Sequence, residues 1–136
     1  MPSREVAERY FSEQSGGNIA GALACFSPDA EFVMPAGRLP FPDGVRAYLE
    51  GFQESFPGNS FEITNVVEAG DQLAIEGFWI GKHTGPMRLP DGRTIPATNK
   101  GVRAPFVTLF RVTNGKIASH RGYWDMAGFM AQLGLG

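Results

Sequence analysis

The chain is short of the groups on which much protein chemistry rests. Among its 136 residues there is one cysteine, Cys25, and there are two histidines, His83 and His120. A lone cysteine excludes an intrachain disulfide and leads to the expectation of a cytoplasmic setting. Cys25, His83 and His120 have no spacing typical of a zinc site. There is no serine-nucleophile motif, P-loop or dinucleotide-binding glycine pattern. The stretch GKHTGPMR has glycine and lysine but follows neither glycine pattern. No metal and no cofactor are expected. Excess charge of one sign is missing too: 12 Lys and Arg against 14 Asp and Glu give a formal net charge of -2. With no basic run, nucleic acid and anionic membrane surfaces are poor partners. No apolar stretch approaches the roughly 20 residues of a membrane span. The opening MPSREVAERYF carries charges where a signal peptide has its apolar core, so no signal peptide is expected.

What remains is an ordinary globular composition, 43% hydrophobic and 19% charged, expected to form a single domain over residues 1–136. Phenylalanine is the surplus residue, with 11 copies against 3 Tyr and 2 Trp. That surplus fits either a heavy core or an apolar cavity, and composition leaves both open.

Periodicity divides the chain in two. Residues 3–14 read as an amphipathic helix, with Val6, Ala7, Tyr10 and Phe11 on one face, Ser3 placed to cap it and Gly16-Gly17 to stop it. Asn18 is placed to cap a short helix that runs into Ser27-Pro28-Asp29, and residues 31–35 read as a short strand ended by Pro35. Asp43 is placed to cap a helix over 44–56, with Val45, Tyr48, Leu49 and Phe52 on one face. Pro57-Gly58-Asn59 ends it. Then the period changes to two. FEITNVVEAG, DQLAIEGFWIGKH, VRAPFVTLFRV and KIASHRGYWD are all of extended type, and Gly70-Asp71 and Asn114-Gly115 mark hairpin turns. The long connection TGPMRLPDGRTIPATNKG is a loop of a length that usually carries function. A short helix closes the chain. Helices followed by a strand meander predict an α+β fold, with helices on one face of a mostly antiparallel sheet and a cone-shaped pocket if the sheet curls.

Several stretches in this order carry a resemblance: ERY (8–10), FSPDAEF (26–32), GKHTGP (81–86), PATNKGV (96–102), VTLFRVTNGKI (107–117) and RGYWDMAGFMAQLG (121–134). Together they resemble the NTF2-like superfamily and, within it, the SnoaL-like polyketide cyclases. The resemblance implies a curved sheet wrapped around three helices, a deep pocket for a small hydrophobic ligand, and a homodimer. It does not fix the chemistry. The ketosteroid isomerase branch uses a Tyr, an Asp base and a protonated Asp. Here Tyr10 is kept, but Met34 and Thr108 stand in the two acid positions, and a thioether cannot abstract a proton. The limonene-epoxide hydrolase branch uses an Arg and two carboxylates. Gly77 and Trp79 replace the first pair, leaving Asp125. The cyclase branch closes rings without metal or cofactor, through an acid/base Asp at the end of the last strand, where Asp125 stands.

Two readings of Asp125 follow. As structure it caps the closing helix, with Met126, Phe129, Met130 and Leu133 at helical spacing behind it. As chemistry it is a carboxylate desolvated beside Tyr123 and Trp124, with a pKa raised toward the range of a general acid/base. His83, flanked by Gly81 and Gly85, shares a strand face with Leu73, Ile75, Gly77 and Trp79, and is the expected second catalytic group. His120 is expected on the outer side of the sheet. Tyr10, Met34, Phe52, Phe56, Trp79, Phe106, Thr108 and Trp124 are the expected ligand contacts. Phe26 and Phe78 are further candidates for the wall, and Arg38, Arg88 and Arg93 are expected in solvated loops. The function expected is a cofactor-free cyclase or isomerase acting on a hydrophobic, carbonyl-bearing molecule. The alternative is a non-catalytic small-molecule-binding or dimerisation module of the same fold.

Overall fold

In a computed structural model, which describes residues 2–89 and 91–135, four helices and a six-stranded sheet form an α+β cone. The helices are α1 (Ser3–Ser15), α2 (Ile19–Leu23), α3 (Asp43–Ser55) and α4 (Met126–Gln132). The strands are β1 (Phe26–Met34), β2 (Gly37–Leu39), β3 (Ser60–Ala69), β4 (Gln72–Lys82), β5 (Met87–Arg88), β6 (Thr94–Ile95), β7 (Gly101–Thr113) and β8 (Lys116–Trp124). The large sheet runs β2-β1-β8-β7-β4-β3, and β5 and β6 form a separate small hairpin within the long loop.

The amphipathic readings translate into burial. On α1 the buried set is Val6, Ala7, Tyr10, Phe11 and Gln14, one helical stripe. On α3, Val45 and Leu49 are fully buried one turn apart. Burying a leucine of this kind contributes about 2 kcal/mol. The turn residues act as their sequence implies. Asn114 and Gly115 both take positive φ between β7 and β8, the signature of a tight hairpin. Asn18 caps α2 by accepting the Gly21 N–H at 3.0 Å.

Three expectations need correction. Ser3 and Asp43 are not caps. Pro2 and Pro42 hold the cap positions, neither gives a side-chain bond, and Asp43 instead meets Arg46 in the first turn of α3. The first strand begins at Phe26 rather than residue 31. It takes in Pro28 because its pairing with β8 is irregular between Phe26 and Glu31, so no ladder bond is required of the proline there. That pairing is parallel, the one parallel neighbour in an otherwise antiparallel sheet.

A second irregularity shapes the cone. The register of β3 against β4 shifts between Ile63 and Asn65, opposite Gly77. A Cβ on Gly77 would stand 1.9 Å from the Glu62 carbonyl oxygen. Only glycine lets the bulged strand approach this closely, and a bulge bends the strand that carries it.

Candidate functional site

Between the inner face of the sheet and helices α1, α3 and α4 lies a cavity of about 60 Å³. Each wall follows from local periodicity. Helix α1 contributes Tyr10, Phe11 and Gln14, which its 3.6-residue turn places on one face. Strand parity brings Ala104, Phe106 and Thr108 inward from β7, and His120, Gly122 and Trp124 from β8. Phe32 and Met34 come from β1, Phe61 from β3 and Trp79 from β4. Tyr48 and Phe52 of α3 and Phe129 of α4 close it. At this size it holds a few water molecules, and a ring compound enters only if the aromatic walls yield.

Of the expected ligand contacts, Tyr10, Met34, Phe52, Trp79, Phe106, Thr108 and Trp124 all line the cavity. Phe56 does not. It packs behind Trp79, with ring centroids 4.9 Å apart, and faces a shallower groove between α3 and residues 86–89. Phe26 is buried core beside Tyr10 rather than cavity wall. Phe78 lies outside the cavity lining, under the Arg103 guanidinium at 3.6 Å. Arg38, Arg88 and Arg93 are exposed and paired with Glu31, Glu54 and Asp91.

The two residues expected to carry catalysis lie apart from this lining. His83 is fully buried, yet beyond the end of the cavity, against Phe56 at 5.2 Å between ring centroids. Its Nδ1 accepts the Thr98 N–H at 3.1 Å and lies 3.0 Å from the Thr98 hydroxyl. Desolvation lowers its pKa, a Gly85 backbone interaction partly opposes this, and ring and main chain of His83 together brace the loop at 98–100. The parity reading of His83 was right, since it is on the inner side. Its distance along β4 took it past the pocket. Asp125 is exposed, and its Oδ1 accepts the Gly128 N–H at 2.9 Å. Tyr123 is exposed and Trp124 half-buried, and the carboxylate is turned to the start of α4.

His120 overturns the opposite expectation. It is buried inside the cone, stacked on Phe32 at 4.0 Å and 5° between planes, with Tyr10 and Phe110 edge-on at 5.5 and 5.2 Å. Burial pushes its pKa down to about 3, so the imidazole is neutral at physiological pH. The signal was present in the sequence: His120 and Trp124 share strand parity, and the face that takes the tryptophan inward takes the histidine with it. Tyr48 and Gln14 were also missed as lining residues. Gln14 stands one helical turn beyond Tyr10, which is the spacing that could have revealed it.

The cavity has little charge. No Asp, Glu, Lys or Arg is among the lining residues. Burial raises the pKa of both Tyr10 and Tyr48, with an indole interaction from Trp124 opposing it at Tyr48, so both phenols stay protonated. The Trp79 indole N–H is already used, donating to Asn59 Oδ1 at 3.2 Å, while Asn59 Nδ2 donates to the Phe56 carbonyl at 2.9 Å. That buried asparagine braces the wall, a part hidden by its helix-stopping position. Two buried side-chain atoms of residues in the wall, Gln14 Oε1 and His120 Nδ1, have no hydrogen-bond partner in another described residue. Leaving a buried polar group unpaired costs about 1–3 kcal/mol. Gly122 lets Met34 and the His120 ring pack close over the strand, since a Cβ there would stand 3.0 Å from Met34 Sδ and 3.2 Å from His120 Cε1.

The described residues hold no group of three or more His, Cys, Asp or Glu able to take a metal ion. Nor is any described helix long and apolar enough to cross a membrane.

Comparison with known proteins agrees with this geometry. The family model of the SnoaL-like domain matches residues 7–120. None of the curated proteins matches the sequence. Among solved structures, a protein from Jannaschia sp. CCS1 assigned as a SnoaL-like polyketide cyclase is 22% identical, with a TM-score of 0.84 over 98% of this chain and 92% of that one. A protein of ketosteroid isomerase-like fold from Catenulispora acidiphila, in complex with trimethylamine, is 21% identical, with a TM-score of 0.79 over 97% and 94%. AclR from Streptomyces galilaeus, assigned as a hydroxylase, is 17% identical, with a TM-score of 0.84 over 98% and 85%. At these identities the likeness is one of fold.

Proposed function

Because the chain belongs to the SnoaL-like domain family, we propose that its cavity takes up a compact hydrophobic molecule bearing a carbonyl group, and that the protein acts on it by cofactor-free acid/base chemistry of the cyclase or isomerase type. The observation that carries this reading is the lining itself: aromatic walls interrupted by the hydroxyls of Tyr10, Tyr48 and Thr108. Loss of a proton next to a carbonyl, taken by a solvent base because no carboxylate lines the cavity, places negative charge on its oxygen. Neutral donors already held in place in a water-poor cavity stabilise that charge without reorganising. The raised pKa values of Tyr10 and Tyr48 keep both phenols as donors. Asp125 follows the lining residue Trp124 in the chain but is not itself among the lining residues. Its cap bond and exposure favour the structural role.

Acetophenone in deuterated buffer is a direct probe. The protein is expected to speed exchange of its methyl protons above the buffer rate. Tyr10→Phe or Thr108→Val, whichever removes the main donor, should slow that exchange by about 10²-fold. Binding of acetophenone with no acceleration would leave a binding module and refute the enzyme reading.

We also propose that two copies pair through the outer face of the sheet, where Leu109 and Tyr123 are 45% and 44% exposed. Light scattering should return twice the mass of the chain. A monomer at all concentrations would contradict pairing.

A further inference from the structure

Tyr48, Phe52 and Phe129 each line two spaces at once, the chamber inside the cone and the groove outside it between α3 and residues 86–89. The partition there is one side chain thick. We propose that the groove is a second part of the ligand site and takes a hydrocarbon tail carried by the ketone, with Phe52 as the side chain that yields to it. The inference rests on the reading that the chamber is the ligand site, and adds the shape of ligand it takes.

Volume gives the first argument. The chamber measures about 60 Å³ and the groove about 280 Å³. A cavity of roughly 150 Å³ takes a benzene ring. The chamber falls short of that and the groove exceeds it. A short ketone is met by Met34, whose unbranched side chain adapts to what it packs against. A longer one continues where the partition is weakest. Phe129 is buried, and Trp124, Phe56 and Trp79 hold it at 5.2, 5.5 and 5.8 Å between ring centroids. Tyr48 interacts with the Trp124 indole. Phe52 is half-buried, and its ring stands 5.6, 6.4 and 6.5 Å from Trp79, Trp124 and Phe129. It has no polar bond to break, and a turn of its ring toward the groove joins the two spaces.

The groove selects by what it lacks. Its floor on α3 is Ala47 and Gly51, one turn apart, and a Cβ on Gly51 would meet nothing within 4 Å. Phe56, Met87 and Leu89 supply apolar sides. The polar groups at its rim are paired with one another: Arg88 lies 2.9 Å from Glu54, and the Ser55 hydroxyl donates to the Pro86 carbonyl at 3.0 Å. A polar tail would give up bonds to water for little in return. A hydrocarbon tail gains from every methylene it buries. The ligand so described keeps its ring and carbonyl in the chamber, beside the hydroxyls, and sends an alkyl arm out past Phe52.

The test compares acetophenone, butyrophenone and hexanophenone by NMR of the methyl-labelled methionines. All three are expected to move Met34, and hexanophenone to move Met87 as well. Each methylene that enters the groove should tighten binding by about 3-fold, so hexanophenone should bind more than about 10-fold tighter than acetophenone. Gly51→Leu fills the groove floor and should bring the ratio of the two affinities down toward 1. Ala47→Leu fills it from the preceding turn and should do the same. Movement of Met34 by acetophenone, with hexanophenone no tighter and Met87 unmoved, would overturn the groove while leaving the chamber reading standing. A gain from the tail that survives both Gly51→Leu and Ala47→Leu would also overturn it. If none of the three ketones moves Met34, both readings fall.

Discussion

Asp125 and His120 were both visible as unusual residues, and the structure exchanges their expected places. Asp125 has the features of a cap: a bond to the Gly128 N–H, an exposed carboxylate and a helix starting at the next residue. Asp125→Ala is therefore expected to lower the unfolding free energy by about 1 kcal/mol, and Asp125→Asn by little, since asparagine caps as well. Urea denaturation measures both. The acetophenone exchange rate of Asp125→Asn should match that of the wild type. A large loss of exchange with stability intact would return the carboxylate to the reaction. At this scale the sequence groups side chains by face, and on the last strand Trp124 is the one cue to which face is inside. Leu73, Ile75 and Trp79 share one face of β4, and His83, one residue past its end, keeps the same parity. For β8, Trp124 and His120 share a face equally well, and the tryptophan marks that face as the inner one. Burial of His120 comes from Phe32 and Tyr10, whose contacts are made only when β1 and α1 fold onto the same sheet.

Elements show the same division between local and non-local causes. Helices α1 and α3, the β3–β4 and β7–β8 hairpins and the closing helix were legible, since each rests on periodicity or on turn residues a few positions apart. The parallel pairing of β1 with β8 was not, because its partners lie about ninety residues apart, as Phe32 and His120 do. The bulge opposite Gly77 was also hidden. Read from sequence, Gly77 is a place where a related enzyme keeps a charged group. In the fold it is a place where the Glu62 carbonyl leaves no room for a Cβ. The outer face of β7 and β8 is an element-scale feature as well. Leu109 stands opposite Arg121, and Val107 opposite Tyr123, which sets apolar side chains beside a charged group. Glu31 is held below the usual carboxylate range by hydrogen bonds from Ser119 first and Arg121 second, so this patch carries fixed, paired charge. Leu109→Lys would place a second cation next to Arg121 and its symmetry mate, and should shift the proposed dimer to monomer in light scattering without lowering the melting temperature of the monomer. An unchanged dimer would move the interface elsewhere.

For the whole molecule, the helices and the bent sheet together leave one apolar chamber among aromatic walls, and ligand binding there is the central claim. Phe52 joins the walls: its ring lies 5.6 Å from Trp79 and 6.4 Å from Trp124, and it also borders the groove outside α3. The outer groove is the competing place for a small ketone. The methionines separate the two. Met34 lines the chamber, Met87 lines the outer groove, and Met126 is exposed at the start of α4. The most direct measurement is a titration of methyl-labelled methionine with acetophenone, followed by NMR. The Met34 methyl resonance should move with saturation while Met87 and Met126 stay in place. Saturating movement of Met87 with Met34 unmoved would put the ligand outside the cone and contradict the assignment of the site.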